Sequence, residues 1–432
     1  ESVASYDRAI VIDPFFAEAY SNRGIALREL NRLQEAIASY NKAIEINPDY
    51  AEAFSNRGIA LKELKRLDEA IASYDRAIEI NPNYVDAYSN RGNALKDLNR
   101  LDEALASYNQ AIQIDPNHAE SYYNRGVYLA ELEQSDQALA SYDQAIEINP
   151  DYADAHSNRG LALETLGRNQ EALFCYHEAI KIKSDQAEFY YNRGNILQKL
   201  NLYSEALKDY QAAISINPNY GNAYYNCGNT LRELGHFNLA IGAYDKAIEL
   251  LSNKSELYNI KGFCLYELKE FESAIASYDI ASALNPGNFQ AFYNKANALI
   301  ELKKYEEALI NYDITIGLNS NYVEAYCNKG LTCSKLSWHE SAIKNYEEAI
   351  KLDSENAEIY FNLGNAIGKL GQFEKAIENY EKAILIKADY AYAFVNKGIA
   401  LKELKKFNEA LECYEKAINL NSDLVEAYCN LG

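Results

Sequence analysis

The 432-residue chain carries 42 basic and 63 acidic side chains, a formal charge of −21 at pH 7, around an apolar fraction of 48%. So much negative charge repels phosphate backbones and disfavours nucleic acid as a partner, and no apolar run approaches the roughly 18 residues that a membrane helix needs. No secretory signal is visible at Glu1, so a soluble, cytoplasmic chain is expected.

In chain order, residues 1–16 read as the second half of a repeating segment, residues 17–424 as twelve complete segments of 34 residues, and residues 425–432 as the start of another. Length alone suggests several domains, but regularity from the first residues to the last predicts one continuous array over residues 1–432. It starts and stops within a repeat and has no methionine, so a segment of a longer protein is expected.

The period is carried by Gly24, Gly58, Gly92, Gly126, Gly160, Gly194, Gly228, Gly262, Gly330, Gly364, Gly398 and Gly432, with Ala296 at the one missing beat. Alanine readily replaces a glycine needed for its size but not one held at positive φ. The beat therefore predicts close packing between helices.

Residues 51–84 show how one repeat folds. Phe54, Gly58, Leu61 and Leu64 recur at helical spacing and define one face of a first helix; Ala70, Tyr74, Ala77, Ile78 and Ile80 define a second. Each helix spans about 14 residues, or about 21 Å, and is marginal alone in water, so stacking must stabilise it. Between them Asn31, Asn99, Asn201, Gly167, Gly235 and Gly371 predict left-handed caps. All seven prolines, Pro14, Pro48, Pro82, Pro116, Pro150, Pro218 and Pro286, follow a second helix and stop it. Ser184, Ser252, Ser320, Ser354, Ala388 and Ser422 predict a softer stop, and Asp49, Asn83 and Asp151 are read as caps of the next helix.

The second helix holds alanine in every complete repeat from Ala36 to Ala410, and tyrosine at every equivalent of Tyr40, from Tyr6 to Tyr414. Aromatic residues at helical spacing read as packing wedges. A row of cations, Arg23, Arg57, Arg91, Arg125, Arg159 and Arg193, then Lys261, Lys295, Lys329 and Lys397, falls on the apolar flank of the first helix. Each stem is expected to lie over packed surface and its head to reach an acidic group or tyrosine hydroxyl of the preceding repeat.

On a helical wheel Glu52, Ser55, Ile59, Lys62 and Glu63 occupy the side of the first helix opposite Phe54, with Asn56 at its edge, and are read as free to meet a ligand. Two residues before each glycine stands an asparagine: Asn22, Asn56, Asn90, Asn124, Asn158, Asn192, Asn226, Asn294, Asn328, Asn362, Asn396 and Asn430, interrupted by Ile260. An amide both donates and accepts, so such a row suits the N–H and C=O groups of an extended peptide. The same amides equally suit bonds to a neighbouring helix.

Small residues at Gly58, Ala70 and Ala77, aromatics at Phe54 and Tyr74 and Pro82 together resemble the tetratricopeptide repeat, and the pattern covers essentially the whole chain. The resemblance implies an all-α fold: a right-handed solenoid superhelix of antiparallel helix pairs whose concave face, lined by the first helices, takes peptides. The asparagine row is similar to that in the repeat domain of O-linked N-acetylglucosamine transferases. Co-chaperones of this family clamp a C-terminal carboxylate with cations; here Glu18, Glu52, Asp86, Glu120, Asp154, Glu188, Glu256, Glu324, Glu358 and Glu426 occupy the groove instead. A neutral or basic extended protein segment fits better. Tyr123, Tyr191, Tyr225, Tyr293 and Phe361 replace early serines, so selectivity for partner side chains is expected there.

Chemistry has little support. The five histidines are scattered over different repeat positions, Cys175, Cys227, Cys264, Cys327, Cys333, Cys413 and Cys429 form no metal-type pair, and no phosphate-cradling glycine loop occurs. No cofactor, metal or catalytic residue is expected, and Trp338 and His339 read as cover for a turn. The expectation is a non-catalytic protein-binding scaffold. Alternatives are the substrate-recognition arm of a larger enzyme and a segment that stacks end to end with its own copies.

Overall fold

The structure, a computed structural model, describes residues 2–431; Gly432, the last of the glycine series, lies outside them. Among the described residues the ordered elements are all α-helices, running from Ser2–Ile12 to Val425–Leu431. First helices such as Ala51–Glu63 and Val85–Asp97 alternate with second helices such as Leu67–Ile80 and Leu101–Ile114. The chain is all-α, a solenoid-like stack of helix pairs. Its contacts group it into two compact bodies, Glu1–Pro218 and Asn219–Gly432.

Every complete repeat turns in the same way. One residue takes φ near +60° or +74°: Asn31, Lys65, Asn99, Glu133, Gly167, Asn201, Gly235, Lys269, Lys303, Ser337, Gly371 and Lys405. Around Asn31 the backbone N–H of Asn31 donates to the Arg28 carbonyl at 2.8 Å and that of Arg32 to the Leu27 carbonyl at 2.9 Å, the paired bonds of a Schellman motif. The asparagine and glycine positions are caps as expected. Lysine, glutamate and serine hold the same conformation, because the turn is short and both flanking helices are anchored by packing.

After the second helix the structure departs from expectation. Asp49, Asn83 and Asp151 do not cap; Tyr50, Tyr84 and Tyr152 sit at the N-caps and make no side-chain capping bond. The polar residue before proline acts instead, as Asn47 Oδ1 accepts the Asp49 N–H at 3.2 Å and Asn81 Oδ1 the Asn83 N–H at 3.1 Å, each an Asx turn. Side-chain caps occur at Asn288 and Asn356. Repeats without proline end at the same place, for example at Leu318 and Ile386, with the next residue extended. The stop is therefore set by the turn and the packing beyond it, and proline reinforces it.

The core is a glycine–tyrosine contact repeated along the stack. A Cβ on Gly24, Gly58 or Gly92 would lie 2.5 Å from the Tyr40, Tyr74 or Tyr108 ring. These glycines are helical, so size is what the position demands. Ala296 is fully buried in one cluster with Tyr312. Ala36, Ala70 and Ala104 are fully buried too and let the backbones approach.

The cation row fastens neighbouring repeats. Arg91 Nε bonds Asp75 Oδ1 of the preceding second helix at 2.6 Å, and its Nη1 bonds Ser107 Oγ of its own second helix at 2.7 Å. Arg23 joins Asp7 and Ser39 likewise, and Arg159 joins Asp143 and Cys175. The expected acidic partners in the preceding repeat are found, and they take the place of the tyrosine hydroxyls that were the other expected acceptors. Arg57 and Arg125 face neutral Asn41 and Asn109, and burial holds both guanidinium groups below the ordinary pKa. They lie over the Phe54 and Tyr122 rings at 5.0 and 5.2 Å.

Candidate functional site

Within each body, a first helix also touches the next first helix, as Ala51–Glu63 touches Val85–Asp97 and Val323–Lys335 touches Ala357–Lys369. Among the described residues successive second helices make no comparable contact, so the first helices line the inner face. Along that face the acidic row, including Glu52, Asp86, Glu120, Glu324 and Glu358, is exposed to solvent.

Ser55 does not belong to the open face, contrary to the wheel. It is 2% exposed, as is Ser89. The Tyr84 side chain, from the loop that closes the same repeat, stands beside Ser55 in the lining of this face. A wheel drawn for one helix cannot show a side chain supplied by the loop beyond the second helix.

The asparagines lie half-buried at the edge of this face, apart from Asn22, which is exposed. Several donate Nδ2 to the preceding repeat: Asn124 to Ser89 Oγ at 3.1 Å, Asn158 to the Tyr123 hydroxyl at 3.1 Å and Asn294 to Asn259 Oδ1 at 3.1 Å. Asn328 donates to the Tyr293 hydroxyl at 2.9 Å, and Asn396 to Asn365 Oδ1 at 2.7 Å. Asn56, Asn90, Asn192, Asn226 and Asn362 hold the equivalent half-buried place.

Sequence reasoning does not single out a second set of asparagines, one residue after the glycine. Asn93, Asn195, Asn229, Asn297 and Asn365 accept the buried hydroxyls of Tyr108, Tyr210, Tyr244, Tyr312 and Tyr380 at 2.6–2.9 Å. Where isoleucine replaces them, the Tyr40, Tyr74 and Tyr414 hydroxyls have no protein partner among the described residues. Burial pushes the Tyr40 hydroxyl up to about 12. Asparagine is a poor helix former, so its recurrence beside glycine is the signal that could have found this set.

The aromatic positions are half-buried rather than bare. Tyr123 packs on Tyr152 at 4.8 Å between ring centroids, Tyr293 on Tyr322 at 4.9 Å and Phe361 on Tyr390 at 5.0 Å. Tyr191 packs on Tyr210 at 6.0 Å, and the Tyr225 hydroxyl reaches Glu256 at 3.5 Å.

Cations beside the groove are committed to acids one repeat away. Lys96 pairs with Glu131 at 2.8 Å, Lys62 with Asp97 at 3.7 Å and Arg28 with Glu63 at 4.0 Å. His118 bonds Ser121 through Nδ1 and Asp86 through Nε2, and the Asp86 bond raises its pKa above the ordinary value.

Cavities open between these features along the inner face. One of 430 Å³ in the N-terminal body is lined by Asn56, Asn90, Asp86 and Glu120, among others. Another of 320 Å³ in the C-terminal body is lined by Tyr293, Asn328, Asn362, Glu324 and Glu358, among others.

A stack of helix pairs with an inner polar face defines a helical-repeat interaction protein. The profile described as TPR repeat matches residues 26–65, 60–98, 92–133, 129–167, 165–201, 339–371 and 400–432. Profiles described as Tetratricopeptide repeat match residues 5–38, 187–220 and 357–390. The chain belongs to the tetratricopeptide-repeat family. Residues 233–314 match the profile described as Anaphase-promoting complex, cyclosome, subunit 3. No curated protein matches. Among solved structures, YrrB, described as a TPR protein with an unusual peptide-binding site, is 28% identical over 43% of this chain and 95% of its own, with a TM-score of 0.35. MamA is 24% identical over 37% of this chain and 94% of its own, with a TM-score of 0.34.

Proposed function

We propose that the chain is a non-catalytic scaffold that holds an extended, basic or neutral segment of a partner protein along its inner face. The observation that carries this reading is the coincidence of ladder asparagines with exposed acids in both inner-face cavities. Asparagines whose Nδ2 is spent on the preceding repeat keep Oδ1 for a peptide N–H, and the acids favour cationic side chains. Tyr123, Tyr191, Tyr225, Tyr293 and Phe361 would select among partner side chains.

The test is fluorescence anisotropy with labelled, unstructured lysine-containing peptides and their glutamate counterparts on the full chain. Asn56→Ala with Asn90→Ala, or Asn328→Ala with Asn362→Ala, should weaken the lysine peptide about tenfold. Binding that ignores these asparagines, or that prefers the glutamate peptide, would reject the reading.

A further inference from the structure

A cavity of 640 Å³ lies away from the asparagine row, where the second helices Tyr305–Leu318 and His339–Leu352 flank the first helix Val323–Lys335. Its apolar lining comprises Leu309, Ile310, Cys333 and Trp338. Ile310 and Trp338 remain 60% and 48% exposed.

Local substitutions create this opening. Where early repeats carry the ion pairs Arg32–Glu35, Arg66–Glu69 and Arg100–Glu103, this repeat has Trp338 and Ser341. Ile310 stands where Ala38, Ala72 and Ala106 stand in early repeats. An ionic lattice over small residues has become an aromatic wall beside an exposed aliphatic side chain.

Its charge is also unbalanced. Its lining holds the carboxylates Glu306, Asp313, Glu347 and Glu348 and the lysines Lys329 and Lys344; Asp313 is taken by Lys329 and Glu348 by Lys351 just outside the lining, which leaves Glu306 and Glu347 against Lys344. At the place of Asp313 in other repeats, Asp75, Asp245 and Asp279 each pair with a cation of the following first helix. For Glu347 the residue at that cation's place is Leu363, and Glu347 takes part in no ion pair among the described residues.

We propose that this cavity is a second docking site, separate from the inner face, which receives an arginine side chain of a basic partner segment. The arginine stem would lie against Trp338 and Ile310 and its guanidinium would supply the cation that Glu347 lacks. Charge complementarity selects this occupant over a purely apolar one.

Trp338 is the chain's single tryptophan, so its emission reports on this cavity alone. The probe is the peptide acetyl-Ala-Leu-Arg-Leu-Ala-amide, with a control carrying neutral, isosteric citrulline in place of arginine. On the full chain the arginine peptide should change Trp338 emission saturably, and citrulline or Glu347→Gln should each weaken binding about tenfold. Asn328→Ala with Asn362→Ala should leave this binding unchanged, which separates its failure from failure of the inner-face reading. If Glu347→Gln lowers the melting temperature, the citrulline peptide on the unaltered chain decides. No saturable change, or equal binding of both peptides, would overturn the proposal.

Discussion

The two bodies build the same helix stack with different chemistry. In the N-terminal body Arg23, Arg91 and Arg159 each bridge two second helices, because a guanidinium presents several donors in a planar fork. In the C-terminal body Lys261, Lys295, Lys329 and Lys397 each bond one carboxylate. There Asn311 and Asn345 bond back to their own helix. The contrast teaches that the glycine–tyrosine contact, common to both bodies, carries the architecture, while the polar fastening is adjustable.

The largest expected effect tests what the bodies share. Tyr74→Ala and Tyr312→Ala should each cost about 3–5 kcal/mol by chemical denaturation followed by circular dichroism. A large loss in only one body would break the idea of a common core. Next, Gly92→Ala should cost about 1–3 kcal/mol through overpacking against Tyr108, whereas Ala296→Gly should cost about 1 kcal/mol from helix propensity. A stabilising Gly92→Ala would show that the tyrosine ring moves freely.

Arg91→Lys should lose the Ser107 bond and about 1 kcal/mol, while Lys295→Arg should change stability by less than about 0.5 kcal/mol. Equal effects would erase the distinction between bridging arginine and single-bonded lysine. Arg91→Leu should lower stability while leaving peptide affinity intact.

The smallest effect is local to the N-terminal body. His118 should titrate above its ordinary 6.5 by NMR, and Asp86→Asn should bring it back down. Since its folded pKa is raised, its stabilisation is complete below the unfolded value and fades as pH rises through the folded one. Asp86, whose folded pKa is lowered, keeps its contribution until pH falls through that depressed value.

Much of the fold was legible in the sequence. Gly92 and Tyr108 announced a close helix contact, and Asn31 and Gly167 announced left-handed caps, because these depend on local geometry and on a strict period. The candidate site was less legible. Ser55 reads as open on its own helix, yet Tyr84 stands over it, and the sequence leaves open whether the Asn328 amide meets a ligand or a neighbouring helix, where it in fact reaches Tyr293 and Asn297.

The sequence by itself determined the period, the two helices of each repeat, the size-limited glycine contact and the row in which the asparagines stand, all consequences of helical spacing and steric bulk. Only the tertiary structure decided which face stays open, which amide atoms are already spent and which cations bridge two helices. Those outcomes depend on side chains that arrive from neighbouring repeats, and helical spacing within one repeat holds no information about them.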